Sequence, residues 1–163
     1  HRDYIFQPVN INESIESALS LLRAQIESEK TEIKLDLASG IPAIEASEQH
    51  LQDIWLNLLV NAKDAISTMD RNGVIRVATR RNDADRTIEI VFENTGASIP
   101  AEQLDMIFTP FFTTKEHGTG LGLAIAYEVI TRHGGTIRVA SKEGEGTRFV
   151  IALPFGGPLN NLD

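Results

Sequence analysis

Three glycines, Gly118, Gly120 and Gly122, stand directly before an apolar run that reads as a helix. Glycine lets the backbone come close to a ligand, and the unpaired amides of a helix's first turn attract anions. Lys115 adds a positive charge three residues before the first glycine. The pattern predicts a polyphosphate site. The less favoured alternative on these residues alone is a flexible connection. The spacing fits neither a P-loop nor a dinucleotide-binding fingerprint.

A second polar group lies on the helix predicted from Glu48 to Thr68. Asn57 and Asn61 are four residues apart, so their side chains lie about 40° apart around the helix axis. Asparagine is a poor helix former in mid-helix, and both residues flank an apolar stripe. The pair indicates a functional edge that Asp64 continues. The alternative is an ordinary solvated helix flank.

The bulk composition bounds the class of protein. A chain of 163 residues with 42% hydrophobic and 23% charged residues is typical of one globular domain. The net charge of -8 argues against a nucleic-acid-binding surface. The absence of cysteine excludes disulfides and thiolate metal sites. No apolar run is long enough to span a membrane, and we expect no signal peptide. Because the chain begins at His1, we expect a piece of a longer protein.

Apolar residues at helical spacing predict three main helices. They are one capped by Asn12 and ending near Ser28, one capped by Ser47 and running from Glu48 to Thr68, and one from Leu121 to Arg132. The second helix has the broadest stripe, formed by Leu51, Ile54, Trp55, Leu58, Leu59, Ala62, Ala65 and Ile66. A short helix is predicted over 101–107, and His133 is interpreted as a cation at a helix end.

Alternating residues and turn signals predict the strands. They are Glu32–Leu37, a brief strand around Ile44, Val74–Arg80, Thr87–Glu93, Thr136–Ser141 and Thr147–Leu153, after an extended segment from Tyr4 to Pro8. The last four form two antiparallel hairpins. Helices with one apolar stripe and strands with one apolar face predict an α/β (α+β) two-layer sandwich. Its mixed, mostly antiparallel sheet of about five strands is covered on one face by three helices.

Two segments lack periodicity. The region from Thr95 to His117 is long for a connection, and loops of that length are commonly functional. Its aromatic residues Phe108, Phe111 and Phe112 predict partial anchoring to the core. From Pro154 onward we expect a frayed tail.

Read together, these segments resemble the catalytic, ATP-binding domain of bacterial sensor histidine kinases, within an ATPase superfamily of Bergerat-type fold. The resemblance rests on an asparagine box at Leu56–Ala65, a first glycine box at Asn94–Pro100, a phenylalanine box at Phe108–Lys115, a second glycine box at Gly118–Gly122, and Gly144–Thr147 before the last strand. All boxes occur in order over nearly the whole chain. The lid and the asparagine-box helix look most like kinases of the nitrogen-regulation type.

The resemblance implies Mg²⁺ and ATP as ligands. Asn61 ligates magnesium, which needs few protein ligands when phosphates supply others. Gly118, Thr119, Gly120, Leu121 and Gly122 offer backbone amides to the phosphates, and Lys115 steadies the γ-phosphate. The resemblance implies that Asn94, Ile99 and Thr147 contact the adenine base of ATP. The remaining implied cofactor-binding positions are Ala65, Gly96 and Thr114.

Asn57 distinguishes two branches of the superfamily that this chain resembles. In the ATP-hydrolysing relatives a glutamate at this position activates water. An asparagine has no pKa suited to general-base work, but it is able to position an attacking imidazole. The resemblance therefore implies a kinase in which Asn57 and Lys115 are catalytic, since positioning and charge neutralisation dominate phosphoryl transfer.

Three positions depart from the commonest pattern of that family. Asn94 replaces an aspartate that accepts a hydrogen bond from the adenine amine, which predicts weaker ATP binding with adenine selectivity kept. Ser98 replaces a glycine of the lid hinge. Asp64 replaces a phosphate-binding lysine, so that Lys63 or Lys115 would have to supply the charge.

The resemblance implies a single domain over residues 1–163 that transfers the γ-phosphate of ATP to a histidine on a separate dimerisation domain. We expect that acceptor domain in the same parent protein, a homodimer, and a response regulator as an indirect partner. The fragment is expected to be monomeric and cytoplasmic, without nucleic acid or direct membrane contact. The alternatives are a regulatory nucleotide-binding module without phosphotransfer and a serine kinase of the anti-sigma type.

Overall fold

The computed structural model describes residues 3–113 and 120–158. Within these ranges the helices are α1 (Ile11–Ser28), α2 (Glu48–Ser67) and α3 (Gly122–Arg132), and the strands are β1 (Gln7–Val9), β2 (Thr31–Leu37), β3 (Ile44–Ala46), β4 (Gly73–Asn82), β5 (Thr87–Asn94), β6 (Thr136–Lys142) and β7 (Gly146–Pro154). All three main helices and the predicted strands are present. None of the described helices is both long and apolar enough to cross a bilayer.

The main sheet has the strand order β2-β4-β5-β7-β6. β2 pairs parallel with β4, whereas the other neighbours are antiparallel. β1 and β3 form a separate antiparallel pair. The sandwich prediction is therefore confirmed: a mixed, mostly antiparallel five-stranded sheet packs against the helices.

The core lies between α2 and the centre of the sheet. Alternate residues of β5 (Ile88, Ile90 and Phe92) are buried on the helix side, as one apolar face requires. Trp55 of α2 is fully buried and stacks on Phe92 with ring centroids 5.6 Å apart. This packing holds α2 on the sheet.

The start of α1 corrects one prediction. Asn10, not Asn12, is the N-cap, and its side chain accepts a hydrogen bond from the Glu13 amide. Asn12 instead donates through Nδ2 to the Ala38 carbonyl at 2.8 Å and accepts from Thr79 Oγ1 at 2.8 Å. Its amide therefore joins α1 to the sheet, a contact that local sequence does not specify.

Two loop predictions were wrong in part. The segment from Ala101 to Ile107 forms only a 3-10 turn over Ala101–Gln103 followed by further turns, not a helix. Phe108 and Phe112 pack against the core as expected, but the Phe111 side chain is 74% exposed and has a positive φ of 68°. Phe111 is therefore no anchor.

The chain end is ordered further than predicted. β7 includes Pro154, and the Phe155 amide donates to the Arg86 carbonyl at 2.9 Å. The Arg81 guanidinium lies 5.2 Å from the centre of the Phe155 ring. These contacts contradict a tail that frays from Pro154, and the positions after 158 lie outside the described residues.

His133 is not a helix-end cation. It follows α3, is 1% exposed, and its Nδ1 lies 2.7 Å from the Val129 carbonyl oxygen. Its Nε2 accepts a hydrogen bond from the Ser47 amide at 3.0 Å. A ring nitrogen that accepts is unprotonated, so His133 is neutral and joins the end of α3 to the start of α2.

Candidate functional site

A cleft of about 760 Å³ opens between α2, the segment after β5 and the start of α3. It is lined by Asn57, Val60, Asn61, Asp64, Ala65, Thr68, Asn94, Ala97, Ser98, Ile99, Pro100, Gln103, Ile107, Phe112, Thr113, Gly120, Gly122, Leu123, Thr147 and Phe149. Its size and mixed lining suit a ligand as large as a nucleotide.

One edge of α2 forms the polar wall of this cleft. Asn57 and Asn61 lie one turn apart there, and Ala65 continues the same edge. The opposite side of the helix is buried in the core through residues such as Trp55. Because the core fixes the rotation of α2, it also fixes the direction in which this edge points.

Asn57 is held tightly within that wall. A Cβ placed on Gly122 would lie 2.4 Å from Asn57 Oδ1, so only glycine allows α3 to begin against this side chain. Asn57 Nδ2 is buried and has no hydrogen-bond partner among the described residues. A buried polar atom without a partner is uncommon and costs stability, which is typical of functional positions.

The second wall begins directly after β5. The Gly96 backbone lies so close to α2 that a Cβ there would be 2.4 Å from the Ala65 carbonyl carbon. The neighbouring Ala97 amide donates to the Ala65 carbonyl oxygen at 3.0 Å. Gly96 is therefore required for packing of this segment on α2, whereas the resemblance implied a role at the cofactor.

Asn94 and Thr147 lie together at the base of the cleft. They are register partners on the adjacent strands β5 and β7, and they are 7% and 6% exposed. The cleft that they share also has an apolar lining, formed by the side chains of Ile99, Ile107, Phe112, Leu123 and Phe149. A flat apolar group with a polar edge fits such surroundings.

The start of α3 closes the other end of the cleft. Gly120 and Gly122 line it, and the N-cap residue of the helix, Leu121, makes no capping hydrogen bond through its side chain. A helix start that is not capped by its N-cap side chain is a common place for an anion to bind.

Charges near the cleft are unevenly placed. Of its described lining residues, Asp64 is the ionisable one, and no lysine or arginine is among them. Lys63 Nζ lies 3.3 Å from Asp64 Oδ1 and 3.8 Å from Glu29 Oε1. Lys63, one of the two residues expected to supply positive charge, thus lies beside carboxylates, and Lys115 lies outside the described residues.

The protein oxygens at the cleft would hold magnesium only together with the phosphate oxygens of a bound nucleotide. The described residues contain no group of three or more His, Cys, Asp or Glu side chains placed to hold a metal. The Asn61 amide and the Asp64 carboxylate do offer oxygen at the cleft wall. Mg²⁺ prefers oxygen and often takes few protein ligands beside phosphate and water.

The predicted site residues divide into three groups. The cleft brings together Asn57, Asn61, Ala65, Asn94, Ile99, Gly120, Gly122 and Thr147. Gly96 and Leu121 lie beside it without being among its lining residues. Thr114, Lys115, Gly118 and Thr119 lie outside the described residues.

Sequence reasoning missed several residues that line the cleft. Val60 of α2 lies three residues after Asn57, and Thr68, directly after the end of α2, lies seven residues after Asn61. That periodicity is visible in the sequence and was the available signal. Ile107 and Phe149 come from distant segments, and nothing local marks them as neighbours.

Comparisons with known proteins give consistent matches. The family model described as histidine kinase-, DNA gyrase B-, and HSP90-like ATPase matches residues 46–157. The sensor histidine kinase ZraS of Escherichia coli (strain K12) is 40% identical over 148 residues, which is 91% of this chain and 31% of ZraS. The chain thus spans less than a third of the length of this curated relative.

Solved structures agree with the sequence matches. The nucleotide-free catalytic domain of the histidine kinase ThkA superposes with a TM-score of 0.82 at 29% identity, covering 93% of this chain and 97% of that one. Full-length ShkA in complex with AMPPNP gives a TM-score of 0.83 at 26% identity, covering 96% of this chain and 32% of ShkA.

Proposed function

This chain belongs to the family of histidine kinase-, DNA gyrase B- and HSP90-like ATPases, and on this premise we propose that it is the ATP-binding catalytic domain of a sensor histidine kinase. The γ-phosphate goes to a histidine on a separate dimerisation domain of the parent protein. A single observation carries the proposal: the Asn57–Asn61 edge of α2 and the glycine-rich start of α3 meet across one cleft. Similarity to ZraS, ThkA and ShkA supports it.

The cleft divides into a phosphate end and a base end. At the phosphate end, Asn61 would hold magnesium through its side-chain oxygen, and the amides from Gly118 to Gly122 would bind the phosphates. Lys115 contacts the γ-phosphate. Magnesium, when bound, neutralises charge on the phosphate oxygens. At the base end, Ile99 packs on the purine while Asn94 and Thr147 contact its edge, with Ala65, Gly96 and Thr114 close by.

Asn57 has a positioning role in this proposal. Its side chain is wedged against Gly122, so the amide group has little freedom to move. An amide does not take up a proton at neutral pH, and it therefore cannot activate water as a general base. The absence of a general base at Asn57 fits transfer to an imidazole better than hydrolysis.

A second candidate function is a regulatory module that binds nucleotide without transferring phosphate. The observation in its favour is that no cation lines the cleft within residues 3–113 and 120–158, while Asn94 and Ser98 depart from the family pattern. Both candidates place the domain in the cytoplasm, where ATP is available, and in a homodimeric parent whose response regulator it affects indirectly.

Binding and transfer assays separate these candidates. Calorimetry measures ATP affinity with and without Mg²⁺ for the wild type, Asn61→Ala and a control, Asn72→Ala, at an exposed turn. Asn61→Ala should abolish magnesium-dependent binding and leave the fold intact. Retained affinity with unchanged metal dependence contradicts the assignment of Asn61.

Transfer is measured with γ-labelled ATP and the acceptor domain of the parent protein. Acid-labile labelling of that domain supports the kinase, because phosphohistidine is lost in acid whereas phosphoserine survives. Magnesium-dependent binding without any labelling supports the regulatory module. No nucleotide binding by the wild type overturns both.

A further inference from the structure

The base end of the cleft presents hydrogen-bonding groups in a defined order. Asn94 and Thr147 face each other in register across β5 and β7, and each is more than nine-tenths buried. The hydrogen bonds around these two side chains determine which of their polar atoms donates and which accepts. The pattern that results decides which purine edge they fit.

Contacts with the backbone fix the orientation of the Asn94 amide. Its Oδ1 accepts a hydrogen bond from the Gly96 amide at 2.9 Å. Rotating the side-chain amide by half a turn would place Nδ2 and its hydrogens against that N–H, donor against donor. Gly96 cannot move away, because it packs against Ala65 of α2. The Asn94 Nδ2 group has no hydrogen-bond partner among the described residues, so a ligand meets a donor there.

Thr147 has the opposite character. Ser141 Oγ accepts a hydrogen bond from the Ile99 amide at 2.8 Å and donates its one hydrogen to the Gly146 carbonyl at 2.9 Å. The 2.9 Å contact between Ser141 Oγ and Thr147 Oγ1 therefore uses the hydrogen of Thr147. With that hydrogen engaged, Thr147 offers only lone pairs to the cleft.

We propose that this site accepts 6-oxopurine nucleoside triphosphates at least as readily as ATP, an inference that rests on the proposed nucleotide site. A 6-oxopurine presents an acceptor, O6, beside a donor, N1–H, which complements Asn94 Nδ2 beside Thr147 Oγ1. Adenine presents the reverse, an amine donor beside the N1 acceptor. This differs from the expectation that adenine selectivity is kept, because the Gly96 contact holds the Asn94 oxygen.

The wild-type protein provides the first test. Dissociation constants are measured with Mg²⁺ for ATP, ITP and purine riboside triphosphate, which has hydrogen at position 6. A hydrogen bond to O6 makes ITP bind about tenfold tighter than the 6-unsubstituted purine, and the adenine amine gives no such gain. A preference for ATP over ITP of more than about threefold overturns the proposal, since the second lone pair of Asn94 Oδ1 would then be accepting from the adenine amine.

Asn94→Asp provides the second test. Aspartate has only acceptors at this position, so the preference should move by about tenfold or more toward ATP. Asn72→Asp adds the same charge at an exposed turn and should leave the ratio of affinities unchanged. An unchanged ratio in Asn94→Asp overturns the proposal. Failure of all three nucleotides to bind the wild type overturns the proposed nucleotide site itself.

Discussion

Lowering the pH should destabilise this domain through His133. The side chain is 1% exposed and accepts a hydrogen bond from the Ser47 amide through Nε2. Burial lowers the pKa of the His133 imidazole below its ordinary 6.5, the hydrogen bond to the Val129 carbonyl raises it, and nearby His50 lowers it. A proton on Nε2 would point at the Ser47 N–H and break this link between α2 and α3.

The size and sign of the effect follow from proton binding. Because the pKa is lower in the folded chain, the unfolded chain takes up this proton first as the pH falls. The contribution of neutral His133 to the free energy of unfolding is intact above about pH 6.5. Below that pH it falls by at most about 1.4 kcal/mol per pH unit. Beside the ring, His50 lies on α2 and Tyr4 on the N-terminal segment. Arg132 of α3 lies over the Tyr4 ring and pairs with Glu128. Lost hydrogen bonding of this kind costs roughly 1–3 kcal/mol.

Urea unfolding at two pH values measures this contribution. Between about pH 7.5 and about pH 5.5, the wild type should lose roughly 1 kcal/mol more unfolding free energy than His133→Gln, which does not titrate there. His50→Gln is the matched control, because His50 contacts Ser47 Oγ and stacks on Tyr4 without filling the buried position. Equal losses in the wild type and His133→Gln would refute the reasoning.

Three further predictions concern packing, a buried hydrogen bond and a surface ion pair. Gly122→Ala should weaken Mg-ATP binding at least about tenfold by calorimetry, because the new Cβ would meet Asn57 Oδ1. Ser14→Ala should lower the free energy of unfolding by about 1–3 kcal/mol in urea titrations, since the buried Trp55 indole N–H donates to Ser14 Oγ at 2.9 Å. Arg148→Ala should cost less than about 1 kcal/mol in the same titrations, because its contact with Glu93 is exposed.

Controls and contrary outcomes are available for each. Gly156→Ala tests a glycine with no atom near its Cβ position, and equal affinity in Gly122→Ala and Gly156→Ala would contradict the steric account. Ser17→Ala removes an exposed hydroxyl from α1, and a loss as large as that of Ser14→Ala would remove the case for the indole hydrogen bond. If Arg148→Ala lowered the free energy of unfolding by more than about 2 kcal/mol, the contact with Glu93 could not be an ordinary exposed ion pair.

Periodicity predicted most of the elements, but not the segments stabilised by distant contacts. The stripe on α2 and the alternation of β5 are local properties of the chain, because burial on one face imposes a fixed spacing. The segment from Ala101 to Ile107, predicted as a short helix, instead forms a 3-10 turn followed by further turns. The N-cap at Asn10 was missed because Asn10 and Asn12 are equally suitable by residue type. Asn12 is excluded as the cap only because its side chain bonds to Ala38 and Thr79 instead.

The sequence by itself determined the kind of site, because the boxes that carry the resemblance are short runs with fixed spacing. It named Asn57, Asn61 and the glycines before α3, whose binding roles stay predictions. Only the tertiary structure decided that Gly96 packs on α2 and that the Asn94 amide is oriented by the Gly96 N–H. The reason is physical: the direction of a hydrogen bond and the room for a Cβ depend on atoms that the fold brings together from distant parts of the chain.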